Sequence, residues 1–365
     1  MSAKPRSFDA PLFCLTLILF VAGLVILASA SLPLSWRDSG SLLFYARHQL
    51  ISGGIAGLAA FFLFQFVPYR FWRKMALPLM IASFILLALV FVPDVSHSFG
   101  GARRWLVLGP VNFQPSELLK LSFIIYLASW LDARRKEVKS LSYGMVPFAF
   151  MVAIIGIFLM MQPDMGTLGV IVATAGTMYF LGGGGVSQLA MLTAFGLAAG
   201  YVFVQLAPYR LSRILVFINP SLDPQGAGYQ INQALIAIGS GGFFGAGLGR
   251  GLQKYYYLPE AMGDSIFAVF AEEAGFLGSA VLIGLFLCFL WRGFMIAHNA
   301  PDAFGRLLAS GLTAGIGVQA FINMAAISGI LPLTGITLPF VSYGSSSLVV
   351  TLASAGILVN ISKYR

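Results

Sequence analysis

Runs of apolar residues alternate with short polar stretches ten times along this chain. Each run is roughly 17 to 25 residues long, the length that carries a helix across the hydrocarbon core of a bilayer. The runs lie near residues 11–31, 44–67, 75–93, 115–132, 144–161, 166–182, 186–206, 265–292, 304–328 and 343–361. The pattern predicts an all-α integral membrane protein, a polytopic bundle of about ten transmembrane helices forming one domain over residues 1–365. Lys4 and Arg6 precede the first run and Ala28-Ser29-Ala30 imitates a signal-peptidase site. The run is too long for a signal core, so it reads as an uncleaved anchor.

One connection breaks the rhythm. Residues 207–263 separate the seventh and eighth runs, far more than the few residues that usually join packed helices. Within this loop, the stretch from Gly226 to Gly242 mixes helical periodicity with glycine breaks, as a re-entrant or interfacial segment does. Irregular backbone at membrane depth persists only where it is buried in protein or faces water, so the loop is expected to roof a cavity.

Charge gives the bundle a direction. The chain is 58% hydrophobic and 10% charged, with Lys+Arg 22 against Asp+Glu 13. Lys4, Arg6, Arg70, Arg73, Lys74, Arg134, Arg135, Lys136, Lys139, Arg292, Arg306, Lys363 and Arg365 all fall on one side. By the positive-inside rule that side, with both termini, is cytoplasmic. The basic balance therefore needs no nucleic-acid partner. Most acids gather at the other face: Asp38, Asp94, Glu117, Asp164, Asp223, Glu260, Asp264, Glu272 and Glu273. Carboxylates in or beside a span mark function, pairing or a wet cavity, which places any chemistry in the outer half. Cys14 and Cys288 lie in separate apolar runs, and His48, His97 and His298 are scattered, so neither a disulfide framework nor a zinc pattern is indicated.

Several outer residues have two readings. Asp264 opens the eighth span and is either a helix N-cap or a reactive acid. Glu272 and Glu273, more than two turns deeper, need partners such as Lys120 or a buried hydroxyl, and one is expected in a structural ion pair. Glu117 and Lys120, three apart after Pro115, either stabilise their helix as an ion pair or line a site. Arg103 and Arg104 sit on the side poor in cations, where an anionic head group or pyrophosphate would draw them. Trp105 beside them also suits an interfacial anchor. Asp164 either caps its helix or joins the site. Ser342, Gly344 and the serines after them either hold polar substrate groups or allow close helix packing.

Six motifs, in order, carry a family resemblance: Gly-Ala-x-Arg-Trp at 101–105, Gln-Pro-Ser-Glu at 114–117, Gln-Pro-Asp-x-Gly-Thr at 162–167, Asp-Pro-x-Gly-x-Gly-Tyr-Gln at 223–230, Asp-x-Ile-Phe-Ala at 264–268 and Pro-Phe-Val-Ser-Tyr-Gly at 339–344. The chain resembles the SEDS family (shape, elongation, division and sporulation proteins), and residues 233–238 and 335–339 look more like its FtsW branch than its RodA branch. The resemblance implies a peptidoglycan glycosyltransferase in the cytoplasmic (inner) membrane. Such an enzyme polymerises lipid II on the outer face beside a class B penicillin-binding transpeptidase and other divisome or elongasome membrane proteins. It implies Asp264 as catalytic base, with Arg103, Arg104, Trp105, Glu117, Lys120, Asp164, Ser342 and Gly344 as substrate-binding candidates and Glu260, Glu272 and Glu273 in support. The departing pyrophosphate needs positive charge, from Arg103, Arg104, Lys120 or a divalent cation such as Mg2+ or Mn2+. Met262-Gly263 stands where relatives carry His-Thr, and Gly344-Ser345-Ser346 where two glycines are commoner. Two other roles suit a ten-helix bundle with buried charges: a lipid II flippase, or a noncatalytic scaffold that activates a transpeptidase.

Overall fold

The structure, a computed structural model, describes residues 8–92, 96–99, 102–108, 111–205, 215–219, 223, 225–226 and 228–364. All ten apolar runs are helical. They form α1 (Ala10–Ala30), α3 with α4 (Phe44–Gln49, Ala56–Phe64), α5 (Tyr69–Leu89), α6 (Pro115–Ala133), α7 (Val146–Met161), α8 (Met165–Leu181) and α9 (Val186–Gln205), then α11 (Ile266–His298), α12 (Ala303–Ile327) and α13 (Ser345–Ser362). The short α2 (Leu32–Ser39) follows α1, and α10 (Tyr229–Ser240) lies in the long loop. A π-helical turn, Leu50–Ile55, joins α3 to α4, and a second, Leu141–Met145, opens α7.

Helix starts follow from local chemistry. Asp9, Asp164 and Asp302 cap α1, α8 and α12 by accepting from the amides of Leu12, Thr167 and Gly305. Pro115 occupies the first turn of α6, where its missing amide hydrogen costs nothing. Helix α5 begins at Tyr69, well before the expected 75, because its first two turns carry Arg70, Arg73 and Lys74, which hydropathy counts as loop.

Among the described residues, six helical segments are long and apolar enough to cross a membrane by themselves, and α8 and most of α9 are shorter apolar helices. The outward surface settles what surrounds them. Ile18, Val21 and Val25 of α1, Phe62 and Leu63 of α4, Ile81 and Ile85 of α5, Phe150 and Ile157 of α7, and Phe195 and Leu197 of α9 are all exposed. An apolar shell of that extent belongs in lipid. Cys14 and Cys288 are free and exposed on the same shell. The chain is a multi-pass membrane protein.

The core lies where α12 and α13, the most buried of the membrane-length helices, pass through the bundle. Small residues let backbones meet. A side chain on Gly356 of α13 would stand 2.6 Å from the Phe61 carbonyl oxygen, so α4 and α13 cross almost in backbone contact. At the end bearing the basic residues, the backbone amide of Asp9 donates to Ser362 Oγ (2.9 Å), so the start of α1 meets the end of α13. Arg292 pairs with Asp9, Arg70 with Asp302 and Arg73 with Asp132 at that same end.

Two features at the opposite end were not anticipated. A three-stranded antiparallel meander precedes α6: β1 (Ser96–Phe99), β2 (Ala102–Leu108) and β3 (Val111–Phe113), with His97 opposite Trp105 and Leu106 opposite Phe113. And α11 is broken at Gly275, whose φ of 66° and ψ of −166° no helix permits. The loop backbone at Gly241–Gly247 enters this break. Ala246 and Gly247 donate to the carbonyls of Glu272 and Glu273 (3.0 and 2.9 Å), while Phe276 and Leu277 donate back to Gly242 and Phe243 (2.9 and 3.1 Å). A Cβ on Gly275 would lie 2.3 Å from the Gly245 nitrogen, so only glycine fits.

Candidate active site

Asp264 ends a turn that wraps back on itself. Glu260, with φ 51°, accepts from the amides of Gly263 (2.9 Å) and Ser265 (3.2 Å), and Ser265 becomes the cap of α11. Asp264 does not cap the helix. Its Oδ1 instead accepts from Gln230 Nε2 on α10 (3.0 Å) and from the neighbouring Ser265 hydroxyl (3.3 Å). Since both donors engage Oδ1, Oδ2 is turned toward Gly335, where a Cβ would stand 3.8 Å away. Gly335 has φ 69° and begins a strap, residues 335–338, that faces the acid. Burial raises the Asp264 pKa to about 6, and the nearby charge of Glu260 adds to the rise. The raised pKa makes the carboxylate a better proton acceptor than an ordinary aspartate.

The segment before Asp264 is held from the last loop. Ser342 Oγ donates to the Gly263 carbonyl (2.7 Å) and accepts from the Leu338 amide (2.8 Å), while the Tyr343 amide donates to the Met262 carbonyl (2.8 Å). Gln49, at the π-helical turn, clamps this loop with both ends of its amide: Nε2 to the Ser342 carbonyl (3.3 Å) and Oε1 from the Gly344 amide (3.1 Å). Ser342 and Gly344 therefore shape the Met262-Gly263 turn.

The second cluster is connected to the first but does not touch Asp264. Lys120 Nζ pairs with Glu117 (2.9 Å) and donates to Gln319 Oε1, all three side chains being buried. With Thr174, Thr351, Ser354 and apolar neighbours they line a small, partly open cavity between the helices. Gln319 Nε2 in turn donates to the Thr337 carbonyl (3.0 Å) and hydroxyl (3.3 Å), on the strap opposite Asp264.

Arg104 is engaged by protein: its guanidinium donates to the carbonyls of Gln162 (3.1 Å for Nε) and Pro163, tying β2 to the turn between α7 and α8. Beyond that turn, Asp164 caps α8 and also accepts from Ser116 Oγ (3.1 Å). Gly166 then packs on the strap, where a Cβ would lie 2.7 Å from the Thr334 carbonyl oxygen. Trp105 is half-buried beside Arg104. The side chain of Arg103, like all of Asp94, Arg210 and Arg213, lies outside the described residues.

Glu272 and Glu273 support the loop. Glu272 accepts from the amides of Leu252 (2.8 Å) and Gln253 (3.2 Å). Glu273 makes the expected ion pair, though with Lys254 (2.6 Å) and not Lys120, and Ser29 supplies the buried hydroxyl. Together they strap the loop to α1 and to the broken helix.

The whole chain has counterparts. The family model for cell cycle proteins, grouping FtsW, RodA and SpoVE, matches residues 10–365. The chain belongs to this family. It is 41% identical over 364 residues to stage V sporulation protein E of Bacillus subtilis (strain 168), covering 100% of this chain and 99% of that one. It is 39% identical over 359 residues to the probable peptidoglycan glycosyltransferase FtsW of Geobacter sp. (strain M18), covering 98% of each. Among solved structures it is similar to the rod shape determining protein RodA of Thermus thermophilus, with TM-score 0.71, 32% identity and 98% of each chain covered. A chain from a study of how a peptidoglycan synthase complex coordinates polymerization and crosslinking is similar at TM-score 0.81 and 31% identity, covering 98% of this chain and 99% of that one. Sequence reasoning found Asp264 and its neighbours by motif. It quoted Gln230 only as the end of a motif, without a role, and missed Asn323, Gln319 and Gln49, the other carboxamides that surround them.

Proposed function

We propose that this family member is a peptidoglycan glycosyltransferase that polymerises lipid II on the outer face of the cytoplasmic membrane. Both termini would lie inside, with the basic residues, and Asp264 outside. The reading is carried by one observation: a carboxyl with one oxygen anchored by Gln230 and Ser265 and the other turned to an open glycine, its pKa raised by burial. Asp264 takes the proton from the 4-hydroxyl of the acceptor GlcNAc as that oxygen attacks the anomeric carbon of the donor MurNAc. The bond to undecaprenyl pyrophosphate breaks, and the leaving group carries away the charge. The bond energy of the pyrophosphate drives the step, so no nucleotide is needed outside the cell.

Positive charge near the leaving group would come from Arg103, Arg104, Lys120 or a divalent cation, the set the family resemblance implies. Arg104 and the buried Lys120 are already partnered by protein, and they shape the site with Trp105, Glu117 and Asp164. A divalent cation, Mg2+ or Mn2+, would supply further neutralisation of the pyrophosphate. Among the described residues no three His, Cys, Asp or Glu side chains gather to hold a metal. An ion would rest chiefly on the substrate phosphates and water, the way Mg2+ commonly binds beside phosphates. The partner is a class B penicillin-binding transpeptidase, in line with the similarity to a chain of a peptidoglycan synthase complex.

The test is reconstitution. The purified chain with its transpeptidase, fed lipid II and Mg2+ in liposomes, should yield glycan strands resolvable on a gel. Transbilayer movement of labelled lipid II without strands would favour the flippase, and crosslinking stimulated without strands would favour the scaffold.

A further inference from the structure

The described residues hold one polar side chain beside the reacting acid that neither the motifs nor the proposed chemistry uses. Asn323 lies one turn before the end of α12 and is 2% exposed. Its Nδ2 donates to two carbonyls at once: that of Asp264 at 2.9 Å and that of Ile336 at 2.8 Å. Both amide hydrogens are thus spent on irregular backbone, one on the turn that presents the acid and one on the strap that faces it. The orientation cannot be reversed, because a flipped amide would aim its oxygen at two carbonyl oxygens. Its Oδ1 is left buried without a partner. A leucine would fill the same space and remove the orphaned oxygen but would strip the donor from both carbonyls, so a directional demand keeps the carboxamide there.

Gln319, four residues earlier and so on the same helix face, repeats the arrangement one residue further along the strap. Its Nε2 holds the Thr337 carbonyl while its Oε1 accepts from Lys120. Helix α12 thus fixes Ile336 and Thr337 from below by two side-chain amides, and Asn323 alone also reaches the main chain of Asp264.

We infer that Asn323 is a positioning residue for the glycosyl transfer, setting the distance between the Asp264 carboxylate and the Gly335–Leu338 strap across which the acceptor hydroxyl enters. The inference rests on the reading of Asp264 as the base. Asn323 touches neither substrate nor the carboxylate. It acts through the Asp264 carbonyl, and the side chain of Asp264 follows its own backbone.

The experiment uses Asn323→Leu, close to isosteric but without donors, and Asn323→Ser, which keeps one donor, in the full chain purified with its transpeptidase. Two readouts are taken: lipid II polymerisation split into kcat and KM, and titration of the Asp264 carboxyl by infrared difference against Asp264→Asn. For Asn323→Leu, kcat should fall on the order of 100-fold, the scale of a 1 Å misplacement, with KM unchanged. The carboxyl midpoint should drop from about 6 toward the ordinary carboxylate range as the turn loosens into solvent. Asn323→Ser should lie between. Wild-type kcat together with a wild-type midpoint in Asn323→Leu overturns the inference. If that variant does not fold, the same two readouts on Asn323→Ser decide, an unmoved pair again overturning it. Should Asp264→Ala polymerise normally, the functional reading fails, while the carboxyl titration still reports whether Asn323 holds that turn.

Discussion

Replacing Lys254 by methionine tests how the outer loop is fastened. The Lys254 and Glu273 side chains are 0% and 2% exposed and 2.6 Å apart. Lys254 also donates to the Ser29 carbonyl (3.1 Å), and the Gly249 amide donates to the Ser29 hydroxyl (3.0 Å), so three chain segments meet on one ammonium. Methionine fills the stem but leaves the Glu273 carboxylate buried with the Ser29 hydroxyl as its remaining partner. Stranding one charge of a buried pair costs about 3–5 kcal/mol. Removing the second charge as well, in Lys254→Met with Glu273→Gln, takes away the stranded anion and should recover most of that loss. The assay is unfolding in mixed micelles titrated with dodecyl sulfate, followed by tryptophan fluorescence, with limited proteolysis of residues 241–254 as the local readout. A single variant within about 0.5 kcal/mol of wild type, the background for an inconsequential surface change, would refute the reasoning. So would a double variant no better than the single one.

Three further outcomes are expected. Polymerisation should rise with pH through about 6 and level off above it, because Asp264 must lose its proton to act as a base; Glu260→Gln should move that limb to lower pH by removing the neighbouring charge, as a pH–rate profile of both proteins would record. Because the same carboxyl is harder to ionise folded than unfolded, Asp264 lowers stability above the ordinary carboxylate pKa, so Asp264→Asn should unfold at higher denaturant than wild type at pH 7 and lose that advantage at pH 4. Gly275→Ala should destabilise the protein by more than about 3 kcal/mol, since its Cβ would meet the Gly245 nitrogen at 2.3 Å in a left-handed conformation; a melting curve like wild type would contradict the loop-in-helix packing.

What could be read from the sequence divides along physical lines. Membrane helices announce themselves by apolar runs, and each of the ten expected spans coincides with a helical stretch. The polar start of α5 was hidden because the signal is hydropathy, and Arg70, Arg73 and Lys74 carry none. The meander at 96–113 was hidden because its strands are short and lie among glycines and arginines, where alternation has no room to show. Asp264 stood out as an acid at a span, but its raised pKa depends on burial and on Glu260, with the hydrogen bond from Gln230 of α10 pulling the other way. Glu273 was seen to need a partner. That the partner is Lys254 depends on Gly241–Gly247 folding into the break at Gly275, a tertiary event with no periodicity to reveal it. Gln319 and Asn323 left one trace, two amides four apart in an otherwise apolar helix, and that spacing would have marked a shared polar face.

The most direct test of the central claim is the rate of glycan formation by Asp264→Asn, with its transpeptidase bound and lipid II saturating. Asparagine keeps the size and the contact with Gln230 and Ser265 but cannot accept the proton. General-base catalysis contributes about 100- to 10,000-fold, so strand synthesis should fall by at least about 100-fold while complex formation and lipid II binding persist. Strands made at the wild-type rate would contradict the account.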